Sequence, residues 1–566
     1  MKPGRLYLYG YRMNEVTPIA LPEAKDDLVI GKTRRSKRDW RSNRPVLSVS
    51  LPFCFTRATP PRPDPSHPPS VVGGAIKRYG YKPPKINKQV MRRFKKFVKM
   101  WLRHNLKPLT DTDVPSFDEW LDNTPYSAAR KEELRRNWNN RGRKLSKKDA
   151  RIVKAFIKDE TYPEYKYPRH INSRCDAAKC FFGPIMQACG DKLFSLDWFI
   201  KTVPVVDRPK VIYDTLVGNL GPEAGDYIFT DYTAFEAHFI LDVMKVTDGL
   251  FFGHMASQLD EAMSLEFMLG LTGIVFGDNF IITKDVNFGV EATRMSGEMN
   301  TSLSNGFANL MLFLFLAHEN GASDIRGFVE GDDGLFRVTP ASAAPTAEQF
   351  AELGMTIKIG TTTRLAEASF CGQVYSMDSL TVVTDPKEAL CRLGWSNKRY
   401  ARAKDPVLLA LLRARAYSLV YQYNGCPMLA ATGYRLLELT KDAEKDVDRV
   451  VQHHDWWERA KLIAARQSVP EPKKIDESTR ALVEKTYGVS RDEQIQYENW
   501  VSNAQLGQHS PSFETPQVWE EYFERYSTTS VDPDPCWLLK PEEPFLDALA
   551  KVKNTINFID SILGGG

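Results

Sequence analysis

Three acidic side chains raise the first chemical question. Asp332 and Asp333 are adjacent in "GFVEGDDGLFRV" (327–338), between apolar stretches that read as two strands joined by a tight turn. Two carboxylates side by side repel each other and resist ionisation together unless a cation compensates them. Mg²⁺ suits such a place, because it takes carboxylate oxygens and leaves room for water and phosphate oxygens. Two such ions about 3.5–4 Å apart serve phosphoryl transfer by activating an attacking oxygen and stabilising a leaving one. A bridging carboxylate is then needed, and Asp231, at the end of the apolar run "YIF", is the candidate. Gly-Asp-Asp alone is also a common surface turn, so the neighbouring residues must decide.

Those neighbours are suggestive. "SGEMNTSLSNGFANL" supplies Ser296, Gly297, Thr301 and Asn305. Thr301 and Asn305 are four apart and share one helical face. A flexible Ser-Gly loop followed by two polar groups on an otherwise apolar helix suits sugar reading. The plainer reading is a cap and a buried, satisfied Asn. Upstream, "KDETYPEYKYPRHINSR" carries Lys158, Lys166, Arg169 and Arg174 on an extended segment suited to a triphosphate. The plainer reading is a solvated charged face.

These residues need elements to position them. "INKQVMRRFKKFVKMWLRHNL" has apolar residues at helical spacing, and "PSFDEWLDNTPYSAARKEELRRNW" offers two short helices around "TPY". Residues 151–230 read as mixed strand and loop. "DYIFTDYTAFEAHF" (226–239) starts as a strand and becomes helix-like. Residues 296–321 form the clearest helix, with Asn300 placed to cap it and Asn320-Gly321 to stop it. "AEQFAELGMTIKIG" reads as helix then strand, "ASFCGQVYSMDSLTVV" as a β-rich hairpin, and the chain beyond Pro386 as almost wholly helical. Residues 1–85 read as irregular, with a proline density over 58–70 that argues against helix. The last hundred residues give no clear pattern.

The bulk numbers bound the rest. The chain has 566 residues, 42% of them hydrophobic, enough for a large core and several domain-sized units. Net charge is only +5, yet residues 1–110 hold 25 Lys and Arg against 6 Asp and Glu, while residues 471–566 hold 9 against 17. A basic head and an acidic tail suit a polyanionic partner at one end, or attraction between the two ends. Eight cysteines without a CxxC pair make no disulfide framework, and His170, Cys175, Cys180 and Cys189 match no common zinc spacing. Reduced thiols in an intracellular compartment are expected. The N-terminus has no apolar run of signal-peptide type. The most apolar segment, "FANLMLFLFLA", has 11 residues, short of the roughly 20 that span a membrane.

Taken in order, the motifs resemble the RNA-dependent RNA polymerases of positive-strand RNA viruses, in the tombusvirus-like and nodavirus-like branches. "TPYSAARKEEL" is similar to motif G, where template enters, and "FIKDETYPEYKYPRHINSR" to motif F. "FTDYTAFEAHF" is similar to motif A, "SGEMNTSLSN" to motif B, "VEGDDGLF" to motif C, "ELGMTIKIG" to motif D and "SFCGQVY" to motif E. The resemblance covers residues of about 120 to 435. Motif A departs from the family's D-x4-D, since four residues, Tyr232–Phe235, separate Asp231 from Glu236 in place of a second Asp.

The resemblance implies an α+β right hand of fingers, palm and thumb, with an antiparallel palm sheet, a helical thumb and closure through the fingertips. On that plan residues 1–85 are a basic, proline-rich extension. Fingers fill 86–225 with an insertion at 250–295, and the palm takes 226–249 and 296–385. The thumb takes 386–470, and 471–566 form an acidic extension. The implied activity is RNA-templated transfer of nucleotides from NTPs to an RNA 3′-OH, replicating a viral genome. Asp231, Asp332 and Asp333 would hold two Mg²⁺ ions, with Mn²⁺ as a substitute. Lys158, Lys166, Arg169 and Arg174 would meet the triphosphate. Glu236, Thr301 and Asn305 would check the ribose 2′-OH, with Ser296 and Gly297 in the mobile loop beside the templating base. Lys358 would give a proton to pyrophosphate, and Tyr126 and Ser127 would touch the template. Partners would be template and nascent RNA, NTPs, other viral replication proteins and, indirectly, host membranes. The setting would be membrane-associated replication complexes in the host cytoplasm. Two other classes fit less well. A decayed, non-catalytic RNA-binding factor would tolerate loss of the acids, which are all present. A reverse transcriptase usually carries aromatics where Glu236 and Gly331 stand.

Overall fold

The computed structural model describes residues 23–32, 48–53 and 68–508, the last with short breaks at 163–166, 219–220, 222–225, 285, 401 and 452–455, and a few isolated positions before residue 66. Along the chain, β1 (Val29–Lys32) is followed by α1 (Pro68–Ala75), α2 (Lys88–Asn105), α3 (Phe117–Asn123) and α4 (Ala128–Asn140). Then come β2 (Ile152–Ile157), β3 (His170–Arg174), α5 (Asp176–Phe194) and β4 (Tyr227–Tyr232). They lead into α6 (Asp248–Met255), α7 (Glu261–Ile274), β5 (Asp278–Ile282), β6 (Val286–Glu291) and α8 (Thr301–Glu319). The hairpin β7 (Asp324–Glu330) and β8 (Asp333–Thr339) is followed by β9 (Ile357–Thr362). The mixture of helix and antiparallel sheet agrees with the α+β class.

The central sheet has order β7-β8-β4-β9, antiparallel throughout. One of its faces is covered by α8, whose Phe313 stacks on Phe336 of β8 with centroids 3.6 Å apart. On the far side of α8 lies α2, where Phe94 meets Phe315 and Trp101 meets Phe307. Being covered on both sides explains why α8 buries almost every residue from Leu303 to Ala317 and reads as apolar all round. The helix α2 shows the opposite pattern, with Val90, Phe94, Val98 and Trp101 buried and its basic residues outward. Its start is fixed by Asn87, whose side chain accepts from the amides of Gln89 and Val90.

A second sheet, of order β1-β6-β5-β2-β3, stands beside the first, and only β2 and β5 pair in parallel. Its strand β1 comes from the segment expected to be irregular. So does α1, which forms within the proline-rich region because its prolines lie in the first turn, where no amide partner is lost. Val71, Val72, Ala75, Ile76 and Tyr79 are buried against that sheet. Residues 151–230, expected as strand and loop, instead include the 19-residue α5. Here Gly183 and Pro184 look like breakers, but Gly183 is packed, since a Cβ there would lie 2.1 Å from the Trp120 ring.

Beyond the central sheet, the hairpin β10 (Val374–Ser376) and β11 (Thr381–Val383) leads to a bundle built on α9 (Asp405–Gln422) and α10 (Leu429–Leu439). Two later helices, α11 (Glu477–Tyr487) and α12 (Arg491–Asn503), join the same core through Val483, Tyr497 and Val501. The acidic C-terminal segment is therefore in part an integral layer of this bundle. Among the described residues no helix is long and apolar enough to cross a membrane.

Candidate active site

The turn between β7 and β8 is closed by two residues, Gly331 and Asp332, between the paired Glu330 and Asp333. Gly331 has φ +64, a left-handed conformation that a glycine adopts without strain. Gly334 pairs with Thr230, so Asp333 comes one step beyond, opposite Asp231. On the other side of β4, Lys358 pairs directly with Asp231. Side chains of directly opposed residues share a face of a sheet. Asp333, Asp231 and Lys358 thus form a row across three strands, with Asp332 at the turn beside it.

Asn309 braces the turn. Its side-chain amide donates to the carbonyls of Gly331 (3.3 Å) and Asp332 (3.0 Å), and its oxygen accepts from the Tyr232 hydroxyl at 3.2 Å. It is one helical turn beyond Asn305 on α8, and that polar position in an apolar run was the signal the sequence offered. The helix comes close because Gly306 faces the turn, where a Cβ would stand 3.1 Å from Phe199 and 3.9 Å from the Gly331 nitrogen.

Electrostatics separate the carboxylates into two kinds. Glu330 is neutralised by Arg208 at 2.7 Å. Asp231, Asp332 and Asp333 form no ion pair among the described residues. Burial, then the charge of Glu236, pushes the Asp332 carboxyl up to about 6. Burial, then the charges of Asp332, Asp231 and Glu330, pushes Asp333 up to about 7. Among the described residues no three His, Cys, Asp or Glu side chains gather closely enough to cage an ion unaided. Hard, uncompensated carboxylate oxygens in a row nevertheless fit a hydrated divalent ion that completes its shell with water and substrate phosphate.

Glu236 sits in a 3₁₀ turn after Ala234, which is left-handed at φ 52. It is buried, not a surface residue, and its Oε2 faces Arg78 at 3.4 Å without a hydrogen-bond partner. Arg78, from the segment just after α1, was not anticipated. Nothing in its local sequence sets it apart from neighbouring basic residues.

The loop before α8 is tied to β3. Ser296 Oγ donates to the His170 carbonyl at 2.6 Å. A Cβ on Gly297 would lie 2.8 Å from the Asn172 carbonyl oxygen, so the backbones touch there. The Thr301 hydroxyl closes the loop on itself, donating to the Met295 or Glu298 carbonyl and accepting from the Glu298 amide. Asn300 occupies the N-cap position, but its side chain bonds Ser304 and caps no amide. Asn305 is buried, and its Oδ1 accepts from Arg294 at 2.7 Å.

Of the basic set, Lys158 and Arg169 straddle Glu160, at 2.9 and 3.6 Å, with both heads exposed. Arg169 lies near enough to Asp332 to favour its ionised form. Lys166 lies outside the described residues. Arg174 is a correction: it is buried, and its guanidinium is spent on Glu298, the Ala150 and Ile274 carbonyls and Asn279. It fixes the loop before α8 and leaves no fork for a triphosphate. Ser127 caps α4 through the Arg130 amide, and Tyr126 packs half-buried beside it.

Residues 230–508 match the family described as viral RNA dependent RNA polymerase. A stretch of 251 residues, 43% of the chain, is 24% identical to the RNA-directed RNA polymerase of Striped jack nervous necrosis virus. The aligned region spans about a quarter of that relative's length, 24%. The match starts one residue before Asp231 and runs through α12. These comparisons bear out the resemblance to viral RNA-dependent RNA polymerases drawn from the ordered motifs.

Proposed function

We propose that this chain, whose residues 230–508 match the viral RNA-dependent RNA polymerases, copies an RNA template by transferring nucleotides from NTPs to an RNA 3′-OH. One observation carries the reading. Asp231, Asp332 and Asp333, which form no ion pair among the described residues, stand in and beside one row on the central sheet, next to Lys358.

On this reading the central sheet with α8 is the palm, over residues 226–249 and 296–385. The second sheet with α2–α5 forms the fingers over 86–225, with the insertion 250–295 supplying β5 and β6. The bundle on α9 and α10 is the thumb, starting near residue 386. From before residue 85, β1 and α1 complete the fingers, while Leu51 and Phe53 join α11 and α12 in completing the thumb. The fingertips reach across to close the hand.

Asp231, Asp332 and Asp333 would hold two divalent ions, Mg²⁺ with Mn²⁺ as substitute. When bound, these ions supply Lewis acidity to the attacking hydroxyl and to the departing pyrophosphate. The chain's own groups do the rest. Lys158 and Arg169, and Lys166 by its place in the motif, neutralise the triphosphate. Lys358 stands next to Asp231 and can hand a proton to the leaving phosphate. Asn305 offers its amide N–H to the ribose 2′-OH, with Glu236 alongside, and the 2′-OH is what distinguishes RNA from DNA. Thr301 sets the loop that carries Ser296 and Gly297 towards the templating base. Tyr126 and Ser127 border the template path. The partners are template, product RNA and NTPs, with other replication proteins and host membranes reached indirectly. The setting is the host cytoplasm, in membrane-associated replication complexes.

The test is single-nucleotide incorporation on a defined RNA. Asp332→Ala and Asp231→Ala should abolish incorporation while leaving RNA binding within a few-fold, since each removes a metal ligand and no phosphate contact. Full elongation by either variant would overturn the reading.

A further inference from the structure

Behind the sugar-facing Asn305 lies an ion pair that the proposed chemistry leaves unused. Arg294 and Asp248 are both sealed from solvent, with side-chain exposures of 0% each. One arm of the guanidinium is bonded to Asp248 Oδ2. The other donates to Asn305 Oδ1 at 2.7 Å. The guanidinium carbon lies over the Phe239 ring, 3.7 Å from its centroid. The Thr247 hydroxyl adds a bond of 2.9 Å to the same Asp248 oxygen, which fixes the anchor at the start of α6.

This arrangement has a chemical consequence. A guanidinium has donors only, so the Asn305 atom that faces it must be the carbonyl oxygen. The amide cannot turn over without setting N–H against N–H in a water-free place, which costs about 1–3 kcal/mol. With Oδ1 turned to Arg294, the Nδ2 donor pair of Asn305 is directed away from it. A donor of fixed direction is what recognition of a hydroxyl oxygen requires.

The backbone that delivers Arg294 is also held. Ala292 and Thr293 are left-handed, at φ 44 and 69, a conformation that costs a β-branched residue. Lys25, buried in the segment before β1, donates to Thr293 Oγ1 at 2.7 Å. A buried ion pair alone is weak support for function, because such pairs also occur simply as parts of a packed interior. Here, however, one partner reaches the amide assigned to the sugar.

We infer that Arg294, anchored by Asp248, is a positioning residue for ribose selection, locking the Asn305 amide so that its N–H donors meet the 2′-OH. The inference rests on the reading of Asn305 as a sugar contact.

The experiment compares kcat/KM for NTP and 2′-dNTP incorporation by the full chain on one RNA template, for Asn305→Ala, Asp248→Asn, Arg294→Lys and the double variant Asp248→Asn/Asn305→Ala. Asp248→Asn keeps size and an acceptor while weakening the anchor, so it preserves the fold better than losing the guanidinium. The expected result is a roughly two- to tenfold fall in ribose preference for Asp248→Asn and Arg294→Lys, the scale of one net hydrogen bond. The fall should appear mainly in the KM for NTP. In the Asn305→Ala background Asp248→Asn should change the preference no further, because the network acts only through that amide. If Asn305→Ala loses ribose preference while Asp248→Asn and Arg294→Lys keep it, the positioning role is overturned and the sugar-reading assignment stands. Equal effects of Asp248→Asn with and without Asn305 would also overturn it, showing a general structural role. An Asn305→Ala enzyme with unchanged preference would sink the sugar-reading assignment and this inference with it.

Discussion

At the residue scale, the paired aspartates carry a cost that depends on pH. Asp333 is pushed up to about 7 and Asp332 to about 6, both from an ordinary value of 3.8. A carboxyl raised on folding binds more protons in the folded state. Its stabilising share is therefore full below the unfolded value and is lost as pH rises through 6 to 7. In chelator, Asp333→Asn should then raise the melting temperature by a few degrees at pH 8 and change little near pH 4. Added Mg²⁺ at pH 8 should stabilise the unaltered chain and narrow that gap. Calorimetry across pH, with and without the ion, checks both signs. Asn309 gives a second expectation at this scale. Asn309→Leu matches its size but leaves the Gly331 and Asp332 carbonyls and the Tyr232 hydroxyl without their partner, at a cost of about 1–3 kcal/mol. Turnover should fall more than nucleotide KM rises, as steady-state kinetics would show. Asp231, Asp332, Asp333 and Asn305 stand out in the sequence as candidates by residue type and order. Arg174 was misread because the Ala150 and Ile274 carbonyls that claim it are about 24 and 100 residues away, and no local pattern reports such acceptors.

At the scale of elements, close approach decides what the strands can present. Gly334 stands where β8 and β4 meet, just after the aspartates. A Cβ there would lie 2.7 Å from Thr230 Oγ1 and 2.5 Å from the Phe336 ring. Gly334→Ala should push the two strands apart next to Asp231 and Asp333, lowering turnover strongly while far-ultraviolet circular dichroism stays close to that of the unaltered chain. A fully active Gly334→Ala enzyme would show that strand spacing is not critical. The same close packing explains which elements the sequence revealed. The helices α2 and α8 and the hairpin β7–β8 announce themselves through periodicity and end signals. By contrast α5 buries residues on nearly every side, so it has no polar stripe, and its glycine is small to fit beneath Trp120 and marks no break. The helix α1 was hidden for a related reason. Its Gly73 and Gly74 look like loop residues, yet Cβ atoms there would meet the Tyr167 ring at 2.3 Å and the Pro168 carbonyl at 2.4 Å.

At the scale of the whole molecule, described residues from both unlike ends of the chain are built into the fold, β1 and α1 from the basic end and α11 and α12 from the acidic one. At the acidic end, α12 is tied to the bundle by the Thr432–Tyr497 hydroxyl pair at 2.8 Å, the Thr479 hydroxyl of α11 bonds Ser376 Oγ at 2.9 Å, and the Gly507 amide reaches back to the Pro52 carbonyl at 2.7 Å. The aromatic stretch that suggested an initiation platform, with Trp519, Tyr522, Phe523 and Trp537, lies outside the described residues. Residues 509–566 hold 4 Lys and Arg against 10 Asp and Glu. Two truncations therefore ask different questions. Ending the chain at Ser468 removes Val483, Tyr497 and Val501 from the bundle core and should lower the melting temperature by several degrees, whatever the tail does. Ending it at Gln508 keeps every described residue of that core and isolates what the segment beyond it does. If the acidic, aromatic segment supplies a stacking surface for the first nucleotides and shields the basic template path, the Gln508 truncation should start fewer chains without a primer. It should also extend an annealed primer faster, and the gain should shrink at high salt, where attraction between acid and base is screened. Equal start and extension rates in the truncated and full chains would assign the segment no part in initiation.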